Sequence, residues 1–247
     1  MVVIQTLLSV LVVSLISFVG VFFLFLKEKN LNKILLFLVS LSAGSLFGGA
    51  FLHLLPEAAS EKGFTLTLSL SVLGGILFFF IVEKFIHWRH CHIPTSTQHP
   101  HHLAKMNLIG DGVHNFVDGL IIAASYLVSV PVGIATTIAV ILHEVPQEIG
   151  DFGVLLYAGW SKTKALFFNF FSASLAILGA IIGLVIGSGS EKFVLLIIPF
   201  AAGGFMYIAG TDLIPELHKE CQPKDTFWHL TALVLGIGLM FLLRFLE

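Results

Sequence analysis

The chain has 247 residues, 57% of them hydrophobic and 11% charged, with a mean hydropathy of +0.98. Soluble domains carry roughly 25% charged residues and about 45–50% apolar ones, so this composition argues against a soluble enzyme and against a disordered regulator. A formal charge of −2 offers no basic field to a polyanion, and nucleic acid is not expected as a partner. The chain's solvent is the lipid bilayer.

A membrane span needs about 20 apolar residues. Eight helices are predicted, at 2–26, 33–58, 66–88, 105–127, 131–158, 162–188, 193–218 and 226–246. The fold class is therefore an all-α polytopic membrane protein, with one transmembrane domain over 1–247. The first span lacks the basic flank and short core of a cleavable signal and is read as a retained helix. Lys and Arg orient the chain. Ten of the 13 fall at the 27–33, 84–105, 162–164 and 219–224 segments, and Lys62, Lys192 and Arg244 fall opposite. Both termini are expected outside, in a plasma or inner membrane. Cys91 and Cys221 then lie in inner loops, where thiols stay reduced and no disulfide is expected.

Residues 42–57 align without gaps on residues 201–216, and each segment ends in Pro-Glu. The first segment lies on an outward helix and the second on an inward one, so the repeat is inverted. Carriers that open to both sides are built this way. His53 and Glu57 are placed on the outer pathway; Asp212, Glu216 and His218 on the inner one. The alternative is that both Pro-Glu pairs merely end helices.

The chemistry-bearing residues concentrate in the fourth and fifth spans. Asp111, His114, Asn115 and Asp118 fit within an arc of about 100° on one helix. His143, Glu144, Gln147, Glu148 and Asp151 span roughly 140° on the next. An acidic residue at a helix centre costs about 2.5–3.5 kcal/mol in lipid, and no Lys or Arg lies mid-span to neutralise these. Two imidazoles and amides beside carboxylates suit a divalent metal better than protonation alone. The ligand number admits one ion or two bridged by a shared carboxylate. Asp111 and Asp151 are expected as an acidic step inward of the centre, the alternative being helix caps or Lys partners. Pro146 frees a backbone carbonyl within the fifth span, either as a packing kink or as an opening at the metal.

The pair His114-Asn-Phe-Val-Asp118-Gly and His143-Glu-Val-Pro-Gln147-Glu148-Ile-Gly-Asp151 strongly resembles the paired signatures of the ZIP (Zrt/Irt-like) family of divalent metal transporters. The Leu-His-Leu-Leu-Pro-Glu and Asp-Leu-Ile-Pro-Glu segments are similar to that family as well. The resemblance implies an eight-helix carrier moving Zn2+ or related divalent ions toward the cytoplasm; because a nitrogen–oxygen site selects by geometry more than by raw affinity, Fe2+, Mn2+ or Cd2+ could pass as well. It also implies that His114, Asn115, Asp118, His143, Glu144 and Gln147 are metal ligands. Many animal members have His where this chain has Gln147, and an amide oxygen is the harder donor. Metal ions and the bilayer are the expected partners, and the sequence leaves room for a homodimer.

Two other classes compete. A helical His-Glu-x-x-His protease site would need a second His where Gln147 stands, and Pro146 breaks its turn. A proton-coupled pump or channel could use the same carboxylates, without need of two imidazoles. The segment 89–104 is read as a His-rich cytoplasmic loop, with His90, His92, His99, His101 and His102 as loop metal ligands or as parts of a solvated linker.

Overall fold

The computed structural model describes residues 1–23, 28–60, 63–91, 100–218 and 223–246. The described residues form eight long helices in chain order and contain no strand. We label them α1 to α8. α1 comprises Val2–Ile16 and Val19–Phe23; α2 runs through Glu28–Gly48, Gly49–Leu54 and Leu55–Ala59. α3 is Leu66–Cys91, α4 Pro100–Val128 and α5 Val130–Tyr157. α6 comprises Lys162–Ala173 and Leu175–Gly187, α7 runs through Glu191–Tyr207, Ile208–Leu213 and Ile214–Leu217, and α8 is Pro223–Leu243. Seven of these are long and apolar enough to cross a membrane by composition. The eighth, α4, is 29 residues long and carries the polar stripe.

Local chemistry explains the boundaries. Ser129, Ser161 and Ser190 cap α5, α6 and α7 by accepting from Val132, Lys164 and Phe193 backbone N–H groups. Gly159, at φ +82°, ends the turn after α5 in a conformation other residues rarely adopt. α4 is already helical at Pro100, five residues before its expected start. Likewise α3 continues to Cys91. The segment expected as a loop over 89–104 is thus helical at both ends. His92 and His99 lie outside the described residues, as does Cys221, and the side chains of His90, His101 and His102 are not among those described.

The repeat is structural. Gly49–Leu54 and Ile208–Leu213, aligned in sequence, are both π-helical. In each, an N–H reaches back five residues, from Leu55 to the Ala50 carbonyl and from Ile214 to that of Ala209. Pro56 and Pro215 follow directly. Proline clashes with the carbonyl four residues back, and a π turn moves that carbonyl aside. The two repeat helices also pack alike: α2 lies closest to α8, and α7 to α3. A methyl on Gly44 would overlap the Leu233 carbonyl, and one on Gly236 the Leu41 carbonyl. In the second pair, Gly203 meets Val72 and Gly75 meets Phe200 in the same way. Gly44 and Gly203 are repeat equivalents, and an odd number of crossings separates them, so the repeat is inverted. α4 and α6 make a third such interface through Gly119 and Gly179. Small residues permit this approach where lipid removes the hydrophobic drive between helices.

Candidate metal centre

α4 and α5 are antiparallel neighbours, and their polar stripes meet. His114, Asp118, His143 and Glu144 each offer a ligand atom, all within 4.8 Å of one another. His114 Nε2 lies 3.1 Å from His143 Nε2 and 3.6 Å from Asp118 Oδ2. His143 Nε2 lies 3.0 Å from that same oxygen, and both imidazoles stand 3.5 Å from Glu144 Oε1. A tetrahedral ion with bonds of about 2.0–2.1 Å sets its ligands roughly 3.3–3.4 Å apart, so these separations suit one cation at the centre. His143 Nδ1 is 3.1 Å from the Ala139 carbonyl. Donating there leaves Nε2 with its lone pair toward the cluster, as a metal-binding imidazole requires. Phe79 stacks edge-on to His114 and Phe205 to His143, giving the site apolar walls.

A second group adjoins the first: Asp111, Glu144 and Glu148, all buried, again lie within 4.8 Å of one another. Glu144 belongs to both. Asp111 was expected about 10 Å inward of Asp118; its place beside Glu144 makes it part of this second cluster. Asp111 Oδ1 accepts from Asn115 Nδ2 at 2.8 Å and from Gln147 Nε2 at 3.4 Å. Asn115 and Gln147 thus present their amide nitrogens to Asp111. Among the described residues, Asp111 Oδ2, Asn115 Oδ1, Asp118 Oδ1, Glu144 Oε2 and Glu148 Oε1 are buried without a hydrogen-bond partner. Unpaired buried acceptors carry a desolvation penalty that a cation relieves. The first cluster mixes nitrogen with oxygen; the second is all oxygen and harder.

A cleft of 420 Å³ reaches the clusters from one side of the protein, lined by Asp111, His114, Pro146, Gln147, Asp151 and Asp212 among others. Its lining comes chiefly from the later turns of α3, α5 and α7 and the earlier turns of α4. Asp151 is held there by Asn107 Nδ2 at 3.0 Å. Asp212 is exposed on the π segment of α7 and borders the cleft, whereas Glu216 and His218 are exposed beyond it. Pro146 lines the cleft, and the Leu142 carbonyl it displaces accepts from the Ser42 hydroxyl of α2. At the opposite end, His53 is 1% exposed and its Nε2 sits 2.7 Å from the Met240 carbonyl of α8. Glu57 is half-buried nearby in sequence. His53 is therefore sealed off in this conformation.

Several partners escaped the sequence reading. Asn107 supports Asp151, Asn169 of α6 donates to Glu148, and Tyr207 donates to Glu83 at the cleft wall. Asn169 had a signal, a lone amide in the aromatic run Phe-Phe-Asn-Phe-Phe of a span. Glu83 and Asn107 lie near span ends, where polar residues are ordinary.

A family model described as the ZIP zinc transporter matches residues 2–105 and 95–244. The chain is 36% identical over 220 residues to zinc transporter ZIP13 of Pongo abelii, covering 83% of this chain and 65% of that protein. It is 33% identical over 278 residues to the zinc transporter ZIP13 homolog of Drosophila melanogaster, covering 87% and 78%. To metal cation symporter ZIP14 of Xenopus tropicalis it is 32% identical over 290 residues, covering 88% and 62%.

Proposed function

The chain belongs to the ZIP family of zinc transporters, and from that premise we propose that it carries divalent metal ions, Zn2+ foremost, toward the cytoplasm through the clusters between α4 and α5. The observation that carries this reading is the set His114, Asp118, His143 and Glu144, four ligand atoms close enough for one cation and near the middle of their helices, with no Lys or Arg in the middle of either helix. Mixed imidazole and carboxylate donors favour zinc and neighbouring transition metals over magnesium or calcium. Asp111, Glu144 and Glu148 provide a second position, bridged to the first by Glu144.

The cleft supports a release route. With the Lys-rich connections inside, it opens to the cytoplasm, and a departing ion passes Asp151 and then Asp212, Glu216 and His218. His53 and Glu57 are the outer counterparts, closed while the inner cleft is open. Movement of one helix group against the other would exchange the two states.

Uptake by purified protein in liposomes, across a panel of divalent ions, tests the proposal. Metal-dependent flux of Zn2+ that falls at least about tenfold in both His114→Ala and His143→Ala is expected. Wild-type rates in both variants would show that the ion travels elsewhere.

A further inference from the structure

Two helices of the bundle are broken, and their breaks face each other beside the second cluster. In α1, Val21 N–H bonds the Phe18 carbonyl, three residues back, and so releases the Ser17 carbonyl from its helical partner. In α6, Ile177 N–H bonds the Ser174 carbonyl, which releases that of Ala173. Both orphans find side chains across the interface. Ser14 Oγ donates to the Ala173 carbonyl at 3.0 Å, and Asn169 Nδ2 donates to that of Ser17 at 3.3 Å.

Asn169 does more than satisfy a break. It is fully buried, and the same Nδ2 also donates to Glu148 Oε2. Both neighbours of that nitrogen are acceptors, a backbone carbonyl and a carboxylate, so the opposite amide orientation would set oxygen against oxygen. The amide is thereby locked, and with it one oxygen of Glu148. The other, Oε1, is buried and unpartnered, and so is Asn169 Oδ1. Oε1 is then the Glu148 oxygen free of any hydrogen bond within the protein.

Resting on the two-position reading above, we propose that Asn169 is a positioning residue for the second cluster: it holds Glu148 so that Oε1 serves the cation beside Asp111 and Glu144. Freed from Asn169, the Glu148 carboxylate loses its fixed rotamer and the preorganisation that makes three buried acceptors a site. Partners that orient ligands typically alter metal affinity by about 10–100-fold. The first cluster contains no atom touched by Asn169 and is expected to be indifferent.

Isothermal titration of the purified full chain with Zn2+, and separately with Mn2+, reads the two positions as two equivalents. Asn169→Ala is expected to weaken the second equivalent by about tenfold or more, with the first within about twofold. Should Asn169→Ala fold poorly, Asn169→Leu keeps nearly the volume, lacks the donor and is expected to weaken the same equivalent. Because Asn169 acts through Glu148, Asn169→Ala should add nothing in a Glu148→Gln background. A loss spread evenly over both equivalents, or one additive with Glu148→Gln, overturns the proposal in favour of a packing role. If Glu148→Gln removes the second equivalent and both Asn169 variants keep it, the proposal alone fails. If the wild-type chain takes up one equivalent, or Glu148→Gln changes neither, the two-position reading fails and this proposal with it.

Discussion

At the scale of single residues, Glu144 carries the most consequence, because the two clusters share it. Both its oxygens face other donors or nothing at all: Oε1 lies 3.5 Å from two imidazole nitrogens, and Oε2 has no hydrogen-bond partner among the described residues. Glu144→Gln should therefore weaken both metal equivalents by about tenfold or more, while Asp118→Asn weakens only the first. Titration of each variant with Zn2+ separates these outcomes; a Glu144→Gln protein with both affinities intact would show that Glu144 ligates nothing. Gln147 sits differently, with its amide nitrogen toward Asp111 rather than toward the imidazoles. Gln147→His substitutes a softer nitrogen donor at the cleft wall and is expected to raise the preference for Zn2+ over Mn2+ several-fold in competitive uptake.

At the scale of helices, proline and glycine act in complementary ways. Pro146 leaves a homeless carbonyl on Leu142, and α2 answers it with the Ser42 hydroxyl, so a helix break at bilayer depth is tolerated because protein covers it. Pro56 and Pro215 are absorbed by π turns instead. The glycines set interhelical distance. Gly44→Ala and Gly203→Ala each push a methyl into a carbonyl of the facing helix. Each should lower stability by roughly 1–3 kcal/mol, as overpacking does elsewhere. Thermal unfolding of the purified protein measures this, with Gly238→Ala as the control, since its added methyl meets open space. Equal melting temperatures in all three variants would show that the interfaces yield without strain.

Across the whole molecule, the repeat has one end closed and one end open. His53 is buried against α8, and its counterpart Asp212 is exposed beside the cleft. With Cys91 and Cys221 replaced by Ser, Asp212→Cys should react with an impermeant thiol reagent from the inner side only. His53→Cys should be protected in the resting state, and become reactive only from the outer side when the carrier cycles. Fluorescence labelling of oriented vesicles checks both. Reaction of the two positions from the same face would contradict the inverted topology.

Eight apolar runs, a polar stripe on each of two consecutive helices and the Pro-Glu repeat were all legible along the chain, because hydropathy, helical period and spacing are local properties. With the signature pair they pointed to a membrane-embedded metal carrier and to His114, Asn115, Asp118, His143, Glu144, Gln147 and Glu148 as candidate ligands, of which the structure gathers His114, Asp118, His143 and Glu144 in one group and Glu144 and Glu148 with Asp111 in another. The breaks in α1 and α6 and the π turns were not legible. The breaks depend on whether a freed carbonyl finds a donor on another helix, as Ser17 does in Asn169 and Ala173 in Ser14. Only the tertiary structure placed Asp111, expected with Asp151 as an acidic step inward of the centre, beside Glu144 in the second cluster, and only it joined Glu148 to Asn169. Sequence determines which side chains share a helical face; which faces meet, and at what depth, is decided by the glycine contacts that set how closely and in what register the helices pack.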